Sequence, residues 1–318
     1  NGIISKSKLE KGITLKLKFL DSDFINDFIK LSRKASEEEF ITLAIFIAFA
    51  GVILPLLPEG NISAQIPISP YHLWLAIVVV SGISYCSYLL KKFIFPDSGI
   101  MLTGLLGGIY SSTATTVILA RQEKQGLAGP QTVSAIMLAN GMMYLRILFL
   151  AFIFNGSVGQ LLAIPFIAMF IVSYILSKLN SGKNPEVLPE NNSENNPTTA
   201  KNPLEFKTAA IFGVLFVVFA LITDFVLKTY GSAGVTNLAY IVGVTDIDPF
   251  LLNILQDKAG IGQMTIALAI INATNSNNLL KMMYAISLSS KNIRRSLILN
   301  FSILIASGML ISIIYYLL

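Results

Sequence analysis

Apolar positions in this chain come in long blocks rather than in alternation or at helical spacing. Stretches long enough to cross roughly 30 Å of hydrocarbon lie at 40–57, 71–90, 131–154, 158–177, 206–227, 262–287 and 296–318. The pattern predicts seven membrane-spanning helices. Two further blocks, 99–122 and 234–256, are apolar but interrupted. In each, an apolar run reaches glycine and then meets residues that start helices: Ser111, Ser112 and Thr113 in the first, Asp246 and Asp248 ahead of Pro249 in the second. A new helix is therefore expected in mid-segment, and about ten residues at about 1.5 Å each carry it across half a bilayer.

The two interrupted blocks stand in register. An offset of 135 brings Gly99 onto Gly234, Gly108 onto Gly243, Asn140 onto Asn275 and Arg146 onto Lys281. Identity is otherwise sparse, so the expected internal repeat rests on these landmarks. The fold class is an all-α polytopic membrane protein with seven full spans plus two broken or re-entrant helices, the alternative being nine full spans. Loop charge separates the two. With nine spans the two sides carry nine and seven Lys/Arg, whereas with seven spans the count is fourteen against two, leaving Lys228 and Lys258 outside. The second distribution fits the positive-inside rule. Three crossings and one hairpin per half make the repeats inverted, an arrangement characteristic of transporters with discontinuous helices.

Composition agrees with a membrane protein: 54% of residues are hydrophobic, 13% are charged and the mean hydropathy is +0.69. The formal charge of +5 sits in short loops beside spans, the footprint of orientation rather than of phosphate tracking, so no nucleic-acid partner is expected. His72 stands beside Tyr71 and Trp74 at a span edge and Cys86 is the lone cysteine, which leaves no histidine chemistry and no disulfide framework. No nucleotide-binding loop, zinc motif or nucleophile triad is present, so neither an enzyme nor a cofactor is expected. Residues 1–39 are polar with a sprinkling of Phe and read as a linker or an amphipathic surface segment. The first membrane half occupies 40–179, a disordered linker rich in Asn and Pro covers 180–203, and the second half covers 204–318. The N-terminal segment and the linker are expected in the cytoplasm.

The segments "LWLAIVVVSGISYCSYLL", "LTGLLGGIYSSTATTVILAR", "NPLEF" and "AGVTNLAYIVGVTDIDPFLL" resemble the C-terminal membrane domain of bacterial MgtC/SapB-family proteins, over roughly 40–318. That resemblance implies a bacterial inner-membrane location, an MgtC-like membrane domain upstream, so that the chain starts midway in a longer protein, and an association with magnesium limitation. It supplies no catalytic or binding residue, and the family name does not establish magnesium transport.

Four ionisable side chains fall at membrane depth: Arg146, Asp246, Asp248 and Lys281. Charges there cost several kcal/mol unless paired or hydrated, which makes them functional candidates. With Ser111, Ser112, Thr113, Asn140 and Asn275 they form the expected site for a small ion or solute. Helix starts and two basic residues suit an anion; Asp246 and Asp248, with Asn275, Asn277 and Asn278, suit a hard cation. Structural readings stand beside these. The hydroxyls cap a freed helix end, Gly104 and Gly108 make close helix packing, and the basic pair neutralises the acidic one. The function expected is transporter-like or channel-like, the alternative a non-transporting regulatory or scaffolding protein. A homo-oligomer is left open.

Overall fold

The computed structural model describes residues 37–62, 68–95, 99–129, 131–181, 206–256 and 261–317. The N-terminal segment up to residue 36 and the linker from residue 182 lie outside them, so neither expectation is met or missed there. The chain divides into two compact units, Asn1–Gly51 and Val52–Leu318. The first contributes helix α1 (Glu37–Ala48). The second holds α2 (Pro70–Leu89, extended by a π-helical turn to Ile94), α3 (Ile100–Lys124), α4 (Thr132–Phe154), α5 (Gly156–Asn180), α6 (Phe206–Val242), α7 (Ile247–Leu255), α8 (Gln263–Leu288) and α9 (Lys291–Leu317).

Among the described residues six helical stretches are long and apolar enough to cross a membrane: Pro70–Ile94, α3, α4, α5, Ala210–Val242 and α9. This fits a multi-pass membrane protein. Two expected spans are not in that set. The block 40–57 is broken into α1, a π-helical turn and a short helix ending at Leu56. The block 262–287 does form a helix, α8, but Asn272, Asn275, Asn277, Asn278 and Lys281 dilute its hydropathy, and all five are buried against other helices. Large apolar side chains such as Phe149, Ile164, Val214 and Leu310 instead face outward, as lipid contact requires.

α4 is the central helix, with 72% of its apolar window buried against 22% for α2. Tyr144, Phe166, Phe250 and Phe301 fill the core around it. Pro165 inside α5 cannot bond to the carbonyl one turn back, and the Tyr315 hydroxyl of α9 donates to that carbonyl, Leu161 O.

α3 is two helices joined at Ser111, whose backbone is extended (φ −161°, ψ 107°). The chain reverses there. A methyl group on Gly107 would overlap the Thr115 side chain, although eight residues along a straight helix separate two positions by about 12 Å. The first half, up to Tyr110, runs antiparallel to α2: Lys91 Nζ donates to Thr103 Oγ1 (3.1 Å), Ser87 Oγ to Leu106 O (2.5 Å) and Ser84 Oγ to Tyr110 O (3.5 Å). Its glycines lie on α4, Gly104 over Ala135 and Gly108 over Ala139, so the two helices rise together. The second half returns to Lys124, where Glu123 accepts from the Ser290 amide (2.8 Å) at the start of α9.

α6 breaks in the same manner at Gly231, whose φ of 63° is open to glycine at little cost. Past it, a methyl on Gly234 would press on Val226 Cγ1 at 2.8 Å, so this chain also doubles back. The segment to Val242 then rises alongside α8: Asn272 Nδ2 donates to Thr236 O (3.4 Å), Ser276 Oγ to Tyr240 O (2.6 Å) and Asn277 Nδ2 to Gly243 O (3.2 Å). After the turn at 243–246, α7 leads back, and Gln256 Nε2 reaches His72 O (3.1 Å) near the start of α2.

Candidate functional site

Asp246 sits just ahead of α7 and its carboxylate accepts from the Asp248 amide at 3.2 Å, the N-cap its sequence position suggests. Ser111 does the same for the second half of α3, accepting from the Ala114 amide at 3.3 Å. Both mid-segment helix starts inferred from the sequence are therefore real caps. They face one cavity of about 640 Å³, within the range of roughly 300–1,000 Å³ usual for small-molecule sites.

Of the expected site residues, Ser111, Ser112, Thr113, Arg146, Asp246 and Asp248 line this cavity, as does Asn277 of the expected cation set. Arg146 bridges its two sides. One guanidinium nitrogen donates to Ile109 O (3.3 Å) and Tyr110 O (2.9 Å), the carbonyl end of the half-helix that stops at Ser111. Another pairs with the Asp248 carboxylate on α7. A cation at a helix C-terminus and an acid in the first turn of another each complement the local dipole. The side chains are 9% and 15% exposed, so the pair is largely withdrawn from solvent but touches the cavity.

Three expected residues stand elsewhere. Lys281 is fully buried, with Nζ donating to Asn140 Oδ1 (2.9 Å) and to Met143 Sδ (2.9 Å), and Asn140 in turn donates to Ile136 O (2.9 Å). Both lie behind Met143, which lines the cavity. Asn275 faces a separate void of about 10 Å³ between α5, α8 and α9; its Nδ2 has no partner and a methyl on Gly308 would strike it.

The sequence did not single out Ser81, Ser84, Tyr110, Thr245 or Tyr284, yet all five line the cavity. Ser81 and Ser84 carry a faint signal, since with Ser87 they set serine hydroxyls three residues apart along a mostly apolar helix, which places them on one face. Among the described residues no three His, Cys, Asp or Glu side chains approach closely enough to hold a metal ion. A hard cation at Asp246 and Asp248 would draw its remaining ligands from hydroxyl, amide and water oxygens.

An uncharacterized protein of Aquifex aeolicus (strain VF5) is 32% identical over 201 residues, which covers 61% of this chain and 84% of that protein. No solved structure matches, and neither finding names MgtC/SapB. The family model that matches spans residues 78–289, from within α2 to the end of α8, and so takes in the reversals at Ser111, Gly231 and 243–246 and the whole cavity wall. The chain belongs to this family, described as Domain of unknown function (DUF4010).

Proposed function

We propose that this protein is a transporter-like or channel-like bacterial inner-membrane protein for a small ion or solute, with its site in the cavity where the two caps face each other. The observation that carries the reading is that cavity, walled by two helix starts and by Arg146, Asp246 and Asp248. Charges at membrane depth are costly and are retained where they bind or conduct.

In this reading both interrupted segments are re-entrant and the halves are inverted repeats. Three facts support it. Equivalent helices α4 and α8 cross antiparallel, since Asn140 meets Lys281 while Tyr144, further along α4, meets Asn278, earlier on α8 (2.7 Å). Nine full spans would make those helices parallel. The α3 hairpin opens at the end shared by Thr132, Asn180 and Ser290, and the Gly231–Gln256 hairpin opens at the opposite end, beside His72. Finally, Lys91, Lys92, Arg121, Lys124, Lys178, Lys291, Arg294 and Arg295 cluster at the first end, which becomes the cytoplasmic side. The link to magnesium homeostasis rests on the resemblance to MgtC/SapB proteins.

A second reading has one specific observation in its favour. Arg146 is satisfied by two carbonyls and a carboxylate, as a structural tie in a scaffolding protein would be. Proteoliposome flux with a panel of divalent cations and small anions separates the two. Transport predicts flux of at least one solute, reduced about tenfold or more in D246N, the scale of one charge-assisted contact. A scaffold predicts none above empty liposomes.

A further inference from the structure

Among the described residues, Lys281 is the one buried charged side chain for which the cavity lining gives no role. Its Nζ has two acceptors, the Asn140 oxygen and the Met143 sulfur. A neutral amine has two N–H donors and is matched by that pair; an ammonium has three and leaves one without an acceptor. Among the described residues no carboxylate is within ion-pairing distance of it, the pairs being Arg146 with Asp248 and Lys228 with Asp224.

The groups around it decide what its charge would do. From α4 come Arg146, one turn beyond Met143, and the Tyr144 hydroxyl, which accepts from Asn278. From the second hairpin come Asp246 and Asp248 across the cavity, and from α8 itself Tyr284 at the cavity wall. The remaining packed elements keep their charges at their ends: Arg121, Glu123 and Lys124 on α3, Lys178 on α5, and Lys291, Arg294 and Arg295 on α9. Tyr315 of α9 is bonded to α5, and Asp224 and Lys228 of α6 pair with each other. The inner cluster is therefore Arg146, Asp246, Asp248 and Lys281. With a neutral Lys281 it carries one net negative charge, and with a protonated one it carries none.

We infer that Lys281 is the proton-carrying group of the site, and that a cation in the cavity and a proton on Lys281 exclude each other. The inference rests on the cavity being the substrate site. The cation settles against Asp246, whose carboxylate accepts the capping bond from the Asp248 amide and whose side chain faces the cavity. As it enters, an N–H bond of the Lys281 ammonium breaks and the proton passes beside Met143 to cavity water, leaving the neutral amine on its two acceptors. The exchange is one positive charge for another with a monovalent cation, and two for one with a divalent one, with no change of oxidation state. It couples a cation gradient to a proton gradient, and raises apparent cation affinity by up to about tenfold per pH unit over the range in which Lys281 titrates.

The test is calorimetric titration of the purified full chain with NaCl, KCl and MgCl2, at one pH, in two buffers of different ionisation enthalpy. The expected result is that at least one cation binds with a heat that differs between buffers by close to one released proton. K281M, or K281Q where K281M is not monodisperse, binds the same cation with no buffer dependence. Equal heats in both buffers for the wild-type protein overturn the coupling and leave the cavity standing. A cation heat that D246N leaves unchanged overturns the cavity itself. Absence of heat from all three salts overturns the inference, while flux of anions or neutral solutes still decides the broader function.

Discussion

Replacing Arg146 with glutamine is expected to destabilise the folded protein by about 2–4 kcal/mol. Arg146 ties the carbonyl end of the first hairpin's outward half to Asp248 at the head of the second hairpin's return helix. Glutamine reaches one of these groups at most, which leaves a mostly buried carboxylate unpaired and takes the guanidinium from Ile109 O and Tyr110 O, the latter keeping only the longer bond from Ser84. Breaking a buried pair costs roughly 3–5 kcal/mol; contact with the cavity, where Asp248 is 15% exposed, brings this figure down. Lysine recovers little, because one ammonium cannot repeat the fork of a guanidinium. The R146Q/D248N double variant should be more stable than R146Q alone, because the stranded charge is gone, and a double-mutant cycle in chemical denaturation measures that coupling. A loss under about 0.5 kcal/mol for R146Q would mean that the pair does not hold the two tips together.

Valine at Gly108 is expected to be more damaging still, with loss of most monodisperse protein or a drop above about 3 kcal/mol. A Cβ at this position would lie 2.6 Å from both Cα and O of Ala139. Those are backbone atoms in the central helix, which cannot turn aside as a flexible side-chain end can, so the first hairpin must lift off α4. Alanine at Gly99 is the control, since it sits at the mouth of the same hairpin with nothing within 4 Å and a backbone that alanine adopts readily (φ −60°, ψ 169°). Thermal unfolding followed by circular dichroism should place G99A with wild type and G108V well below it.

The sequence announced its two helix starts because capping chemistry is local. Ser111 and Asp246 each follow a glycine by three residues, and each accepts a nearby amide in the structure. The glycine pair at 104 and 108 was readable for the same reason, as small residues one turn apart. Partner choice was not readable. Arg146 and Lys281 are equivalent under the 135-residue offset, yet one grips a hairpin tip and an acid while the other meets an amide and a thioether. Nothing in either local sequence distinguishes them, because the difference arises from which element lies across the cavity. Asn275 departs from its counterpart Asn140 because α9 packs on it closely through Gly308. The reversal at Gly231 falls in the short loop expected between the span 206–227 and the interrupted block 234–256, with Lys228 outside; the positive φ of Gly231 was not legible, because either glycine of "TYGSAG" could have taken it. Ser81, Ser84 and Tyr284 were not legible as cavity residues because a lone hydroxyl on a membrane helix serves equally to bond a neighbouring backbone carbonyl.

α3 is a hairpin whose tip meets a second hairpin from the opposite end of the bundle. The distance between spin labels at positions 99 and 125, measured by pulsed electron–electron resonance in nanodiscs, tests it most directly. These positions bracket a helical stretch of 25 residues. A chain that turns back at Ser111 brings the labels within about 20 Å, two helix diameters. A single straight helix would hold them about 38 Å apart, at about 1.5 Å per residue. A short, narrow distribution is expected, and one centred near the longer distance would rule out a reversal at Ser111.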